Sequence, residues 1–184
     1  MVDAAGSQPP NPDHAAGELR RRLDFDDQQL LAECEVHIHR TSGPGGQHRN
    51  KVATAIRLHH RPSGLTVTGT ERRSQQENKA MAVHRLREAL ALYTRAPLPE
   101  QITWPPNVNI QQGRLRVNEK NPALHHVIGL VLDALVAYGG QPKDAAERLG
   151  ITPTSLTRFL AAHAKAWTEA NRIRESLGLP RLRA

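Results

Sequence analysis

From Arg40 to Lys51 the chain reads Arg-Thr-Ser-Gly-Pro-Gly-Gly-Gln-His-Arg-Asn-Lys, with three glycines and one proline in the four positions Gly43 to Gly46. Glycine adopts positive φ without strain and lets backbone approach a ligand closely. Such a stretch reads as a surface loop whose amides can face an oxyanion or a phosphate. The side chain at its tip is the Gln47 carboxamide. A second copy, Gly139-Gly140-Gln141, closes an apolar-striped helix and precedes Pro142. That copy reads as helix termination.

Other chemistries fit poorly. A phosphate-binding Walker loop needs glycine directly before its lysine, and Asn50 precedes Lys51; the dinucleotide fingerprint needs glycine where His48 stands. Ser42 has His39 and His48 near it in sequence, but no acid is placed to orient a base. The pairs His37 with His39 and His59 with His60 lack carboxylate or thiol companions, so no metal site is expected. The single cysteine, Cys34, excludes an internal disulfide and a multi-cysteine zinc site. No cofactor is indicated.

The elements that must hold the loop are legible on either side of it. Cys34, Val36 and Ile38 alternate with Glu35, His37 and His39, a period-two pattern that predicts a half-buried strand. Val52, Thr54, Ile56 and Leu58 alternate after the loop, Arg61-Pro-Ser-Gly64 signals a turn, and Leu65, Val67 and Gly69 continue as a third strand. Ser74-Gln-Gln-Glu77 is a capping-box pattern, and Ala80, Val83, Leu86, Leu90 and Tyr93 keep helical spacing behind it. Upstream, Leu19 to Glu33 reads as a short helix with Asp26 or Asp27 near its start, after an Ala/Gly/Pro/Asp-rich tail over 1–17. Downstream, residues 95–120 carry Pro97, Pro99, Pro105 and Pro106 and read as a linker with an extended piece at Arg114–Val117. Leu124, Val127, Ile128, Val131, Leu132, Leu135 and Val136 form an apolar helical stripe. Ala146, Gly150, Leu156 and Phe159 have helix-turn-helix spacing, and a last helix surrounds Trp167, Ala170, Ile173 and Leu177. The expected fold is α+β: a small mixed β-sheet with a packed helix over 18–94, then the linker, then a small all-α module with a helix-turn-helix-like pair over 121–184.

Charge points to the partner. The formal net charge is +7, yet residues 1–33 hold 3 basic and 7 acidic groups, while 34–95 hold 11 and 4. The positive excess therefore surrounds the glycine-rich loop, which favours an acidic partner such as nucleic acid. The opening Met-Val-Asp-Ala-Ala-Gly-Ser lacks the basic and apolar regions of a targeting peptide, and no apolar run is long enough to span a bilayer. A cytoplasmic, membrane-free monomer is expected.

The residues Arg40 to Lys51, together with Ala55-Ile-Arg-Leu58, Pro62-Ser-Gly64 and Arg73-Ser-Gln-Gln-Glu-Asn-Lys79, resemble the catalytic domain of class I peptide chain release factors. Short codon-independent ribosome-rescue factors are the more similar group. The resemblance implies a domain that enters the peptidyl-transferase centre and hydrolyses the ester of peptidyl-tRNA. It implies Gly45, Gly46 and Gln47 as the catalytic tripeptide, with Gln47 open to methylation by a partner methyltransferase. By charge, Arg40, Arg49, Lys51, Arg57, Arg72, Arg73 and Lys79 are the candidate contacts to the ribosome's large-subunit rRNA. Arg49 departs from the family, where valine is usual. No segment of the sequence resembles a stop-codon-reading domain or a Lys/Arg-dense tail. Two other readings are a ribosome- or RNA-binding factor without turnover and a DNA-binding regulator acting through the helical module.

Overall fold

In a computed structural model that describes residues 12–40 and 53–183, the first helix, α1, runs Pro12–Arg21. It starts inside the stretch whose composition suggests a tail; proline suits a first helical position because the N–H it lacks would have no partner there. A 3-10 turn, Arg22–Asp24, leads to α2, Asp27–Ala32. The Gln29 amide donates to the Asp26 carboxylate and the Asp26 amide donates to the Gln29 side chain, a reciprocal cap that fixes where α2 begins.

Three strands follow: β1 Cys34–His39, β2 Ala55–His60 and β3 Thr66–Gly69, in the order β1-β2-β3. The α+β class is the expected one, but the sheet is antiparallel throughout rather than mixed, because neighbours in the sheet are also neighbours in the chain. Leu58 lies between Val36 and Val67, and Ile56 between Ile38 and Gly69, so the apolar members of all three runs share one face. Helix α3, Gln75–Tyr93, packs on that face over β2 and β3. Ile56 and Leu58 are buried beneath it, whereas Val36 and Ile38 on the edge strand remain 42% and 53% exposed. The Ser74 side chain accepts from the Glu77 amide at the start of α3. That is one half of the capping box; among the described residues Glu77 makes no return bond.

The segment read as a linker contains a hairpin, β4 Asn109–Gln111 and β5 Arg114–Arg116. Its two loop residues, Gln112 and Gly113, both have positive φ, 49° and 72°. That is the requirement of the two-residue turn whose twist matches the strands. Then come α4 Leu124–Ala137, α5 Pro142–Arg148, α6 Pro153–Ala162 and α7 Ala164–Ser176. Ala146, Leu156 and Phe159 are buried where α5 meets α6, and Gly150 sits in the turn at φ +68°. These are the helix-turn-helix positions named from the sequence.

Helix α3 has the sheet on one side and α4 and α7 on others, so Leu86, Ala89, Leu90, Ala91 and Leu92 are all buried although they do not form a single stripe. One apolar core thereby runs from the sheet into the C-terminal helices. A buried ion cluster joins the same parts. Arg20 of α1 donates to both oxygens of Asp133 on α4 at 2.8 and 2.9 Å, and Arg95 approaches the same carboxylate at 3.4 Å. Burial pushes the Asp133 carboxyl up, Arg20 down and Arg95 down to about 10, while the mutual attraction opposes each change. A Cβ on Gly129 would lie 1.8 Å from the Arg20 guanidinium, so the absence of a side chain there lets the arginine cross α4.

Candidate functional site

Gly45, Gly46, Gln47, Arg49 and Lys51 lie outside the described residues. The structure gives the frame that carries them. His39 pairs with Ala55, so the chain enters the loop at Arg40 and returns at Thr54 on adjacent strand ends. Gly69 pairs with Ile56, which brings Thr70 to Ser74 out of the sheet at that same end. The start of α3 is therefore beside the feet of the glycine-rich loop.

Asn78 locks this arrangement. Its side chain is fully buried, and its carboxamide donates to Thr54 O at 2.8 Å and to Arg72 O at 2.9 Å while accepting from Arg72 N at 2.8 Å. One amide thus ties the returning foot of the loop to the Arg72-Arg73 bend. A buried carboxamide with both ends satisfied specifies geometry as well as adding stability. Behind it, a Cβ on Gly69 would lie 2.1 Å from the Asn78 carbonyl oxygen, so only glycine lets β3 approach the first turn of α3 so closely. Asn78 belongs to a motif quoted from the sequence, but its bonding role depends on a partner 24 residues away. No local pattern signals it.

The cations divide into two sets. Arg40, Arg57, Arg72, Arg73 and Lys79 are exposed, and none meets a carboxylate among the described residues. Arg40, Arg72, Arg73 and Lys79 cluster at the loop end, and Arg57 projects from the sheet face opposite α3, between His37 and Thr68. Farther along α3 and just past its end the basic residues are committed within the fold: Arg85 to Glu71 at 2.7 Å, Arg87 to Asp27 at 2.8 Å and Arg95 to Asp133. The hydrogen bond from Arg85 holds the Glu71 carboxyl down to about 2, so the acid that follows β3 is already paired. The face carrying the loop's feet keeps its positive charge available to an anionic partner.

A second polar group secures the far end of the sheet. The buried His60 ring contacts Ser63 Oγ through Nδ1 at 2.7 Å and Glu33 Oε2 through Nε2 at 2.9 Å. Arg22 donates to both oxygens of Glu33. Burial would raise the Glu33 carboxyl, but the bonds from Arg22 and His60 outweigh it and hold it below the usual range. The order serine, histidine, carboxylate resembles a nucleophile relay. However, Ser63 Oγ also accepts from Leu65 N at 3.3 Å and so faces its own turn; the group locks the β2–β3 connection. Burial pushes the Cys34 thiol up to about 11, and it donates to Leu30 O, which makes it a packed and unreactive side chain. Among the described residues no cluster of His, Cys, Asp and Glu is gathered for a metal ion, and no helix is long and apolar enough to cross a membrane.

The family model described as the RF-1 domain matches residues 26–121, just over half of the chain. Among curated proteins the chain is similar to peptide chain release factor 1 of Lacticaseibacillus casei (strain BL23), 38% identical over 109 residues, 56% of this chain and 30% of the relative. It is similar to peptide chain release factor 1 of Acidiphilium cryptum (strain JF-5), 42% identical over 73 residues, 40% of this chain and 21% of the relative. Peptide chain release factor 1 of Gluconobacter oxydans (strain 621H) is 44% identical over 66 residues, 36% of this chain and 19% of the relative. The chain spans about a third or less of the length of these relatives.

Proposed function

This chain belongs to the RF-1 domain family of peptide chain release factors, and from that we propose that it releases nascent peptide by hydrolysing the ester of peptidyl-tRNA on the ribosome. The observation that carries the proposal is the frame of the Arg40–Lys51 stretch. Its feet sit on adjacent strand ends, locked by Asn78 and flanked by exposed cations that meet no acidic partner among the described residues. Such a face suits ribosomal RNA, and a glycine-rich stretch between its two feet suits close approach to an RNA-lined centre.

Ester hydrolysis places negative charge on the carbonyl oxygen and on the departing 3′-oxygen. A backbone N–H aimed there contributes roughly 3 kcal/mol, about 100-fold in rate. In this reading the Gln47 amide supplies that donor, and Gly45 and Gly46 permit the backbone path that presents it. The Gln47 carboxamide helps hold the attacking water, and its methylation by a partner enzyme would tune that role. The tRNA and rRNA complete the site. Arg40, Arg49, Lys51, Arg57, Arg72, Arg73 and Lys79 neutralise phosphates around it. Residues 18–94 form the hydrolase unit, and 121–184 form a helical module, joined through 95–120, that contributes to ribosome association.

We further propose that release is codon-independent, as in the short rescue factors that the loop and helix motifs most resemble. The test is peptide release from ribosomes carrying labelled peptidyl-tRNA, with a stop codon, a sense codon or a truncated message in the A site. Equal rates on stop and sense codons, or faster release on the truncated message, support the proposal. A strong preference for one stop codon overturns it.

A further inference from the structure

The β4–β5 hairpin carries charge that the loop end does not use. Its register sets Asn109 opposite Arg116 and Gln111 opposite Arg114, so two arginines and two carboxamides lie on one face. All four are exposed. Gln111, Gln112, Arg114 and Arg116 line an open hollow of about 420 Å³. Among the described residues neither guanidinium meets a carboxylate or a backbone carbonyl. Most other arginines of residues 95–183 are engaged within the fold: Arg95 with Asp133, Arg148 with two carbonyls, Arg172 with Glu169, Arg174 with Gly140 and Arg181 with Glu175.

The ribbon is also held rigidly. Ile110 and Leu115 turn to the opposite face and pack into the core beside α6. The Thr152 amide donates to Gly113 O at 2.9 Å, and the Leu115 amide donates to the Ser155 hydroxyl at 2.8 Å. A Cβ on Gly113 would lie 3.1 Å from the Thr152 methyl group. The backbone under the arginines is thus ordered before any ligand arrives, which reduces the entropy lost on binding.

We propose that this hairpin is a second RNA contact, a platform for a single RNA strand formed by Arg114 and Arg116 with Asn109 and Gln111 beside them. Residues two apart on a strand project to the same face about 6.7 Å apart, comparable with the separation of successive phosphates. A guanidinium offers a planar pair of donors to each phosphate. The carboxamides offer both donors and acceptors, which suits ribose 2′-hydroxyls and base edges. An acidic peptide would satisfy the arginines but would leave the row of amides with less to read. The proposal rests on the release reading only in taking the RNA to be ribosomal.

The test uses the full-length chain with Arg114 and Arg116 both changed to Gln, beside the double Lys variant and Lys143→Gln, which removes one exposed charge elsewhere. Binding is measured to intact ribosomes and to purified ribosomal RNA over a range of salt, and peptide release is measured in parallel at saturating protein. On both probes the double Gln variant is expected to bind at least tenfold more weakly. Its plot of log affinity against log salt is expected to be shallower by about 1.4, two single-strand phosphate contacts. The double Lys variant recovers most of the slope, and Lys143→Gln changes little. Unchanged affinity and slope in the double Gln variant overturn the platform while leaving release untouched. A loss seen with ribosomes but not with purified RNA assigns the hairpin to an acidic ribosomal protein and also overturns it. If the wild-type chain shows the arginine-dependent RNA binding yet releases no peptide, the release reading fails and the platform stands.

Discussion

Replacing Asn78 by alanine removes three hydrogen bonds at once: two donated to Thr54 O and Arg72 O, and one accepted from Arg72 N. The site is fully buried, so water does not replace the lost partners freely. At about 1 kcal/mol for each bond, with some further cost for backbone groups left unpaired, the loss is about 3 kcal/mol. For a chain of this size each kcal/mol moves the midpoint by about 2–4 °C, so Tm should fall by roughly 6–12 °C. Asn78→Asp separates positioning from packing. It keeps the volume and the acceptor for Arg72 N but sets an oxygen against two carbonyls, which releases the returning foot of the loop. In Asn78→Asp, peptide release at saturating protein should fall about tenfold or more, since misplacing a reacting group by about 1 Å costs up to 100-fold. Ribosome affinity should stay near wild type because the exposed cations are intact. Circular dichroism melts, ribosome pelleting and single-turnover release measure the three quantities. An Asn78→Ala midpoint within about 1 °C of wild type, or full release by Asn78→Asp, would mean that Asn78 does not hold the foot of the loop in place.

Three further outcomes follow from the fold. Asp133→Ala strands Arg20 and Arg95 without their shared counter-charge and should cost about 3–5 kcal/mol, a fall of roughly 6–20 °C in a thermal melt. Gly69→Ala drives a Cβ into the Asn78 carbonyl oxygen, a backbone atom that cannot move without shifting α3; a loss of roughly 1–3 kcal/mol should appear in denaturant unfolding. Burial lowers His125 to about 4 and also lowers His60, so the folded state resists protons that the unfolded chain accepts. Their contribution is complete above the ordinary histidine value and is lost as pH falls through the folded values. Tm should therefore decline between about pH 6.5 and 4, and His125→Gln should flatten that decline in melts across the range.

The sheet was legible because Ile56, Leu58 and Val67 alternate cleanly, and the register confirms the phase of all three runs. The exposure of Val36 and Ile38 was not, because alternation marks a face without saying how far a helix reaches across it. The helix-turn-helix pair followed from Ala146, Gly150, Leu156 and Phe159, which combine helical spacing with one positive-φ glycine. The hairpin in 95–120 was half seen: Arg114–Val117 read as extended, but strands of three residues are too short for a period to show. Arg20 with Asp133 could not be read at all, since the partners are 113 positions apart and Gly129 looks like an ordinary weak point in a helix. Of the candidate site, Arg40, Arg57, Arg72, Arg73 and Lys79 were nominated by charge alone. The structure adds that they are exposed and that Arg85, Arg87 and Arg95 differ from them by being paired.

The proposed hydrolysis of peptidyl-tRNA by Gly45, Gly46 and Gln47 is measured most directly by single-turnover release from ribosomes carrying labelled peptidyl-tRNA. Gly46→Ala and Gln47→Ala should bind ribosomes as wild type does, because no exposed cation has changed. Gly46→Ala should release peptide about 100-fold more slowly, as expected for one misplaced oxyanion donor. Gln47→Ala keeps its backbone N–H and loses only the carboxamide, so it should be slowed less and should admit small nucleophiles other than water. Release at the wild-type rate by both variants, at saturating protein, would mean that these residues do not carry the hydrolysis.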